Sequence, residues 1–409
     1  MSSSLVEVRA AIVDLVVGDA DHAARAAARL TEIGGWDTAL PQAARWGVIA
    51  LLHARLDDAS APPADVLATL RAEALRGVLR SREVVERGLE VLCLFEAAGI
   101  DAIAIKGVGA IGTLGGRAAA RTTMDLDVVV RECDAAAARA LLRDHGFCEI
   151  NPPFERHMAD IALSRELHNV ARTLRKGQLE VDIHWRFGPR PPAALAPERL
   201  IARAGDVTVG AATFRAAHPV DAVLIAVHHA LRSGFVPQNT VRDLCDLAAW
   251  WEDGRAPAAL DELIDTARRS GLATSLLALW DTVLRRAPLH PLREGYDRLA
   301  ATLDRNARAE AVLLERHLEH TLRHGNPARF TLEVFAPRVY ARWLVGALAQ
   351  TLHPAPAGEH GGAPLPERRP LARRIANLPV RCWRIVCELA RVERIPSYRA
   401  VARAQSRFH

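Results

Sequence analysis

The chain has 409 residues, half of them hydrophobic and a quarter charged, with a formal net charge of +5. That balance describes a folded globular protein with room for two or three domains and excludes a disordered chain. The small positive charge, the 5% aromatic content and the lack of interleaved aromatic and basic residues also argue against a nucleic-acid-binding protein.

Residues 1–98 read as a helical region. Leu5, Ile12, Leu15 and Val16 form one apolar stripe, and Trp46, Val48, Leu51, Leu52 and Leu56 form a second that ends before Pro62-Pro63. A third helix is expected from Asp65 to Ala98, stopped by Gly99. The pattern changes at Ile100. Ala102 to Ile105 is a short buried strand, Gly107 to Leu114 a small helix or glycine-rich turn, and Leu126 to Val130 a second strand. Asp134 to His145 follows as a helix and Phe147 to Ile150 as a third strand. Glu166 to Arg175 and Gln178 to Trp185 flank a hairpin turn at Lys176-Gly177. Residues 99–190 therefore form an α+β unit, a small mixed sheet with helices.

Helices return over residues 191–352, at Val220 to Leu231, Thr240 to Trp251, Ala258 to Ser270, Ala273 to Arg285, Asn306 to Arg323 and Pro337 to Leu352. Residues 353–370 are a Pro/Gly-rich linker. The arginine-rich tail, 371–409, reads as a helix that docks on its own domain, on a partner or on a membrane surface. The six cysteines show no CxxC spacing and fall mostly within apolar segments, so reduced, buried thiols and a cytoplasmic location are expected. Neither a signal peptide nor an apolar run of membrane-spanning length is expected.

The candidate chemistry centres on residues 106 to 130. Asp125 and Asp127 lie one residue apart at a strand, so their carboxylates share a face and can hold a divalent cation against a phosphate ester. A third acid is needed to complete the metal site or take a proton, and Asp182 suits it. In Leu179 to Trp185, alternation puts Glu180, Asp182 and His184 on the face opposite Leu179, Val181 and Ile183. Lys106-Gly107 opens a glycine-rich stretch (Gly109, Gly112, Gly115, Gly116) whose backbone N–H groups can approach phosphate, although the GxxxxGK[ST] order of a P-loop is absent. Of the 53 basic residues only Lys106 and Lys176 are lysine. An ammonium retained at that turn points to a role, because lysine and arginine are not interchangeable at a phosphate.

Arg121 suits either a phosphate or a neighbouring carboxylate. His184 suits orientation of a metal ligand, contact with substrate, or a structural hydrogen bond. His228-His229 and Asp221 lack the HExxH spacing of a zinc site, and Asp243 and Asp246, three apart on a helix, read as caps or cleft walls.

Ile105-Lys106-Gly107, Arg121, Asp125-Leu126-Asp127-Val128-Val129-Val130, Gly146-Phe147 and Val181-Asp182-Ile183-His184-Trp185 together resemble an uncharacterised nucleotidyltransferase family of the DNA polymerase β superfamily. The resemblance implies a polymerase β-like core between helical flanks. It implies two Mg²⁺ ions, or Mn²⁺, on Asp125, Asp127 and Asp182. It further implies an NTP substrate such as ATP against Lys106, Gly107 and Arg121, and an acceptor that is a protein hydroxyl or a small molecule. Better-known members begin the nucleotide site with Gly-Ser, whose place here is taken by Lys106-Gly107. That departure keeps a second expectation alive, a catalytically inactive nucleotide- or partner-binding module of the same fold. A phosphotransferase moving the γ-phosphate is a third.

Overall fold

The computed structural model describes residues 3–325, apart from 57–61, 116–117, 119, 151–170, 189–190, 211 and 253–255. Its strands are β1 (Ala102–Ile105), β2 (Leu126–Val130), β3 (Cys148–Ile150), β4 (Ala171–Lys176), β5 (Leu179–His184), β6 (Gly205–Val209) and β7 (Ala212–Ala216). They join in one seven-stranded mixed sheet, ordered β3-β4-β5-β2-β1-β7-β6. β2 is antiparallel to β1 and parallel to β5, β5 is antiparallel to β4, and β7 runs parallel to β1. The β4–β5 hairpin turns at Gly177, where φ is 60°, as the Lys176-Gly177 pair predicts. The part of the expected strand from Glu166 to Val170 lies outside the described residues.

Helices α1 (Ser3–Val17), α2 (Ala20–Glu32), α3 (Trp36–Arg45), α4 (Ile49–Ala54) and α5 (Ala64–Ala97) precede the sheet. α6 (Lys106–Leu114) and α7 (Ala135–Asp144) fall between its strands, and α8 (Pro197–Arg203) precedes β6. After β7 come α9 (Pro219–Arg232), α10 (Pro237–Glu252), α11 (Ala256–Arg269), α12 (Ala273–Leu284), α13 (His290–Ala301) and α14 (Arg305–His324). The expected helix at Pro337 to Leu352, the linker and the tail lie outside the described residues.

Strand alternation divides the interior in two. Leu126 and Val128 of β2 and Val181 and Ile183 of β5 pack with Val84, Leu92 and Phe95 of α5 and Leu142 of α7. Ile103, Ile105 and Val129, facing the other way, join a larger core that draws on α1, α4, α9, α10, α12 and α14. The N- and C-terminal helical regions therefore share one apolar interior. Arg286 ties their ends together, with Nε on Asp14 at 2.8 Å and the other two nitrogens on Glu319 at 2.5 and 2.8 Å.

The extent of the sheet, the set of helices and the burial of the cysteines depart from the pattern read in the sequence. The β6–β7 hairpin lies beyond residue 190 and enlarges the sheet, and α13 has no counterpart among the expected helices. Residues 106–114 take the helical one of the two forms expected there, and the inner glycines serve close packing. A Cβ at Gly109 would lie 2.6 Å from the Ala104 carbonyl oxygen, and one at Gly112 would lie 2.5 Å from Val207 Cγ2. Of the cysteines, Cys245 is buried, but Cys93, Cys133 and Cys148 are exposed; Cys382 and Cys387 lie outside the described residues. Cys148 is on the edge strand β3, so an apolar neighbourhood in sequence did not give it a covered face. Among the described residues, no helix is long and apolar enough to cross a membrane.

Candidate active site

Register brings the acids together. In the parallel β2–β5 pair Asp127 lies beside Asp182 and Val129 beside His184, while Ile105, at the end of β1, lies across from Asp127. Asp127, Asp182 and His184 thus share the sheet face that looks toward the helical body. One ligand atom from each lies within 4.8 Å of the others. Asp125 sits in the bend just before β2 and is close enough for its carboxylate to be perturbed by both other acids. Of the three acids read from the sequence, Asp127 and Asp182 therefore converge on one face with His184, whereas Asp125 precedes the strand and does not share its alternation.

Asp127 Oδ1 accepts from two groups, Lys106 Nζ at 2.7 Å and His184 Nε2 at 2.8 Å. With Asp127 ionised, His184 carries its hydrogen on Nε2, which leaves Nδ1 as a buried acceptor without a hydrogen-bond partner. Asp182 Oδ1 is likewise buried and unpartnered. Burial opposes the charge of each acid. At Asp127 the Lys106 ammonium and the hydrogen bond from His184 override burial and hold the carboxyl far below its ordinary range. At Asp125 burial, reinforced by Asp127 and Asp182, pushes the pKa up to about 6. Asp182 is raised by burial and by Asp127. Burial and the nearby Lys106 lower the His184 pKa, keeping the ring neutral. Burial also works against Lys106, but attraction to Asp127, Asp182 and Asp125 raises its pKa overall.

Lys106 has φ of +46°, a conformation rare for a side-chain-bearing residue, with a cost on the order of 1–3 kcal/mol. It is the first residue of α6, and Gly107 behind it lets that helix approach the acid loop: a Cβ there would lie 2.8 Å from Thr123 Cγ2. The loop is held from three further directions. Thr122 N–H donates to the Gly47 carbonyl at 2.9 Å, and Thr123 N–H donates to Ser81 Oγ at 2.8 Å. Arg121 forms a bidentate, buried pair with Asp246 of α10, at 2.8 and 2.9 Å. Of the two roles left open for Arg121, the structure therefore shows the carboxylate partner.

The His184 ring stacks on Phe187 at 5.8 Å and 6°, and Phe187 meets His228 of α9 edge-on at 6.2 Å. His229 Nδ1 lies 2.9 Å from Asp243, linking α9 to α10, while Asp221 is paired with Arg199 and Arg203. These residues hold the helices together, consistent with the missing zinc-site spacing. One turn beyond His228, Arg232 is half-buried, has no hydrogen bond or ion pair among the described residues, and its charge is felt at His184. The sequence reading passed over Arg232, Phe187, Thr122 and Thr123. An arginine ending an apolar helix looks like a partner for the helix dipole, and nothing local separates these threonines from loop filler.

Carboxylate oxygens, one of them buried without a donor, are the hard ligands that Mg²⁺ or Mn²⁺ prefers, so the residues fit a divalent ion. The fold is mixed α/β, and its acid cluster lies beside the N-terminus of α6. The model of the uncharacterised nucleotidyltransferase family matches residues 32–283, more than half of the chain, and the protein belongs to that family. A comparison with curated proteins gives no match.

Proposed function

We propose that the protein is a metal-dependent nucleotidyltransferase with a polymerase β-like core, transferring a nucleoside monophosphate from an NTP to a protein hydroxyl or a small molecule and releasing pyrophosphate. The observation that carries this reading is the convergence of Asp127, Asp182 and His184 on one sheet face, with Asp125 at its rim. Asp125, Asp127 and Asp182 would hold Mg²⁺ or Mn²⁺, which when bound polarises the α-phosphate and offsets developing charge. Asp182, whose Oδ1 has no hydrogen-bond partner, would receive the acceptor hydroxyl's proton. As the acceptor oxygen bonds to the α-phosphorus, the bond to the bridging oxygen breaks and its electron pair leaves with pyrophosphate. His184 keeps Asp127 oriented and ionised. Lys106, Gly107 and the free N–H groups of the first turn of α6 would face the triphosphate, with the unpaired guanidinium of Arg232 available to its anionic end. Arg121 acts at one remove, by fixing the acid loop against α10.

Incubation with α-labelled NTPs, Mg²⁺ and a cell extract should label an acceptor and release pyrophosphate, and Asp125→Ala or Asp127→Ala should abolish both. Labelling that survives these changes would reject the assignment. The engagement of Asp127 Oδ1 by both Lys106 and His184 supports the second reading, a binding module without turnover. That reading predicts calorimetric binding of Mg·ATP with no pyrophosphate. Label transferred from γ-labelled but not α-labelled ATP would instead identify a phosphotransferase.

A further inference from the structure

We propose that Lys106 is a built-in cation, standing where the second ion of a two-ion site would bind, so that the protein takes up a single divalent ion. The inference rests on the metal-dependent reading above and departs from the two ions that the family resemblance implies. Lys106 Nζ lies 2.7 Å from Asp127 Oδ1, and the carboxylates of Asp182 and Asp125 also act on it. A compact ammonium on a flexible stem can enter such a cluster as a point charge, which a planar guanidinium cannot do. Three carboxylates and one ammonium leave two negative charges uncompensated, and one divalent ion neutralises them. A pair of divalent ions beside the same ammonium would instead leave the buried site strongly positive before any nucleotide arrives.

The ligand atoms agree with that count. Asp127 Oδ1 is already taken by two donors, and no hydrogen bond reaches Oδ2 among the described residues. Oδ2 and the bare Asp182 Oδ1 then remain as the oxygens for one ion. The backbone agrees as well. At φ +46° a glycine would sit without strain, so the position retains a side chain against its local conformational preference. In a chain whose basic residues are otherwise arginine except for Lys176, the residue retained is lysine.

Mn²⁺ binding to the full-length, chelator-stripped protein, counted without nucleotide by electron paramagnetic resonance of the free ion, tests the proposal. Wild type should bind one ion per chain. Lys106→Gly, which removes the ammonium and relieves the positive φ, should bind two, and so should Lys106→Gln, which keeps most of the side-chain length without charge. Circular dichroism establishes that both variants are folded. Two ions on wild type would overturn the proposal and leave the metal-dependent reading intact. A count that fails to rise in both folded variants would also overturn it. No ion on wild type would overturn the proposal, while the metal-dependent reading would stand or fall on the labelling assay with and without Mg²⁺.

Discussion

Asp125 and Asp127 are separated by a single residue and are driven in opposite directions, and the difference lies in what touches each. Asp127 receives an ammonium and an imidazole N–H, whereas Asp125 has neither hydrogen bond and carries the repulsion of the cluster. The folded Asp125 titrates near 6, above the ordinary value of 3.8, so the folded chain holds this proton more tightly than the unfolded chain does. Its contribution favours folding below about pH 4 and is lost as pH rises through about 6. In metal-free protein at pH 8, Asp125→Asn should therefore be more stable than wild type by roughly 1–3 kcal/mol, while turnover disappears. The gain should vanish below pH 4. Urea denaturation at both pH values checks this, and a variant less stable than wild type at pH 8 would contradict the assigned environment.

At the scale of elements, the acid loop is positioned by partners drawn from the whole chain. Gly47 comes from the turn between α3 and α4, Ser81 from α5, Gly107 from α6 and Asp246 from α10. The Arg121–Asp246 pair is the part most sensitive to substitution, because removing either member leaves a buried charge uncompensated. Arg121→Ala should cost about 3–5 kcal/mol, and the Arg121→Ala/Asp246→Ala double variant should recover part of that loss. Arg121→Lys should remain below wild type, since one ammonium cannot reproduce both bonds. Denaturation midpoints across this cycle measure the coupling. If Arg121 acts only through the loop, the folded variants should lose turnover with little change in their affinity for Mg·ATP.

For the whole molecule, the sheet is backed on one face by α5 and α7 and on the other by a helical body assembled from both ends of the sequence. The candidate site lies on that second face, bounded by α9 through Phe187 and His228 and by α10 through the Arg121–Asp246 pair. Activity should therefore depend on the helical flanks as much as on the strands. A fragment beginning at residue 99 would expose the surfaces of α10 and α14 that α1 covers. It should lack a cooperative urea transition and be cleaved rapidly by protease, whereas the full chain should resist both. A compact, protease-resistant fragment would show that the two regions are independent.

Local patterning alone determined much of the architecture. Short apolar runs disclosed β1 and β2, period-two alternation in β5 placed Asp182 and His184 on one face, and Lys176-Gly177 marked the hairpin turn. Helical spacing marked α5, α9, α10, α12 and α14 to within a few residues. Such patterns report which face of an element is apolar; they do not say which other element covers it. The β6–β7 hairpin escaped notice because much of it is exposed and it joins β1 through a short parallel pairing. The pairing of Arg121 with a carboxylate 125 residues away could not be read locally for the same reason. Nor could the use of the α6 glycines for close packing, or the merging of the two helical regions into one interior. The amino-acid sequence by itself determined the kinds of side chain at the candidate site and the strands that bear most of them. The tertiary structure decided their company, because burial and register set which charge each carboxylate meets.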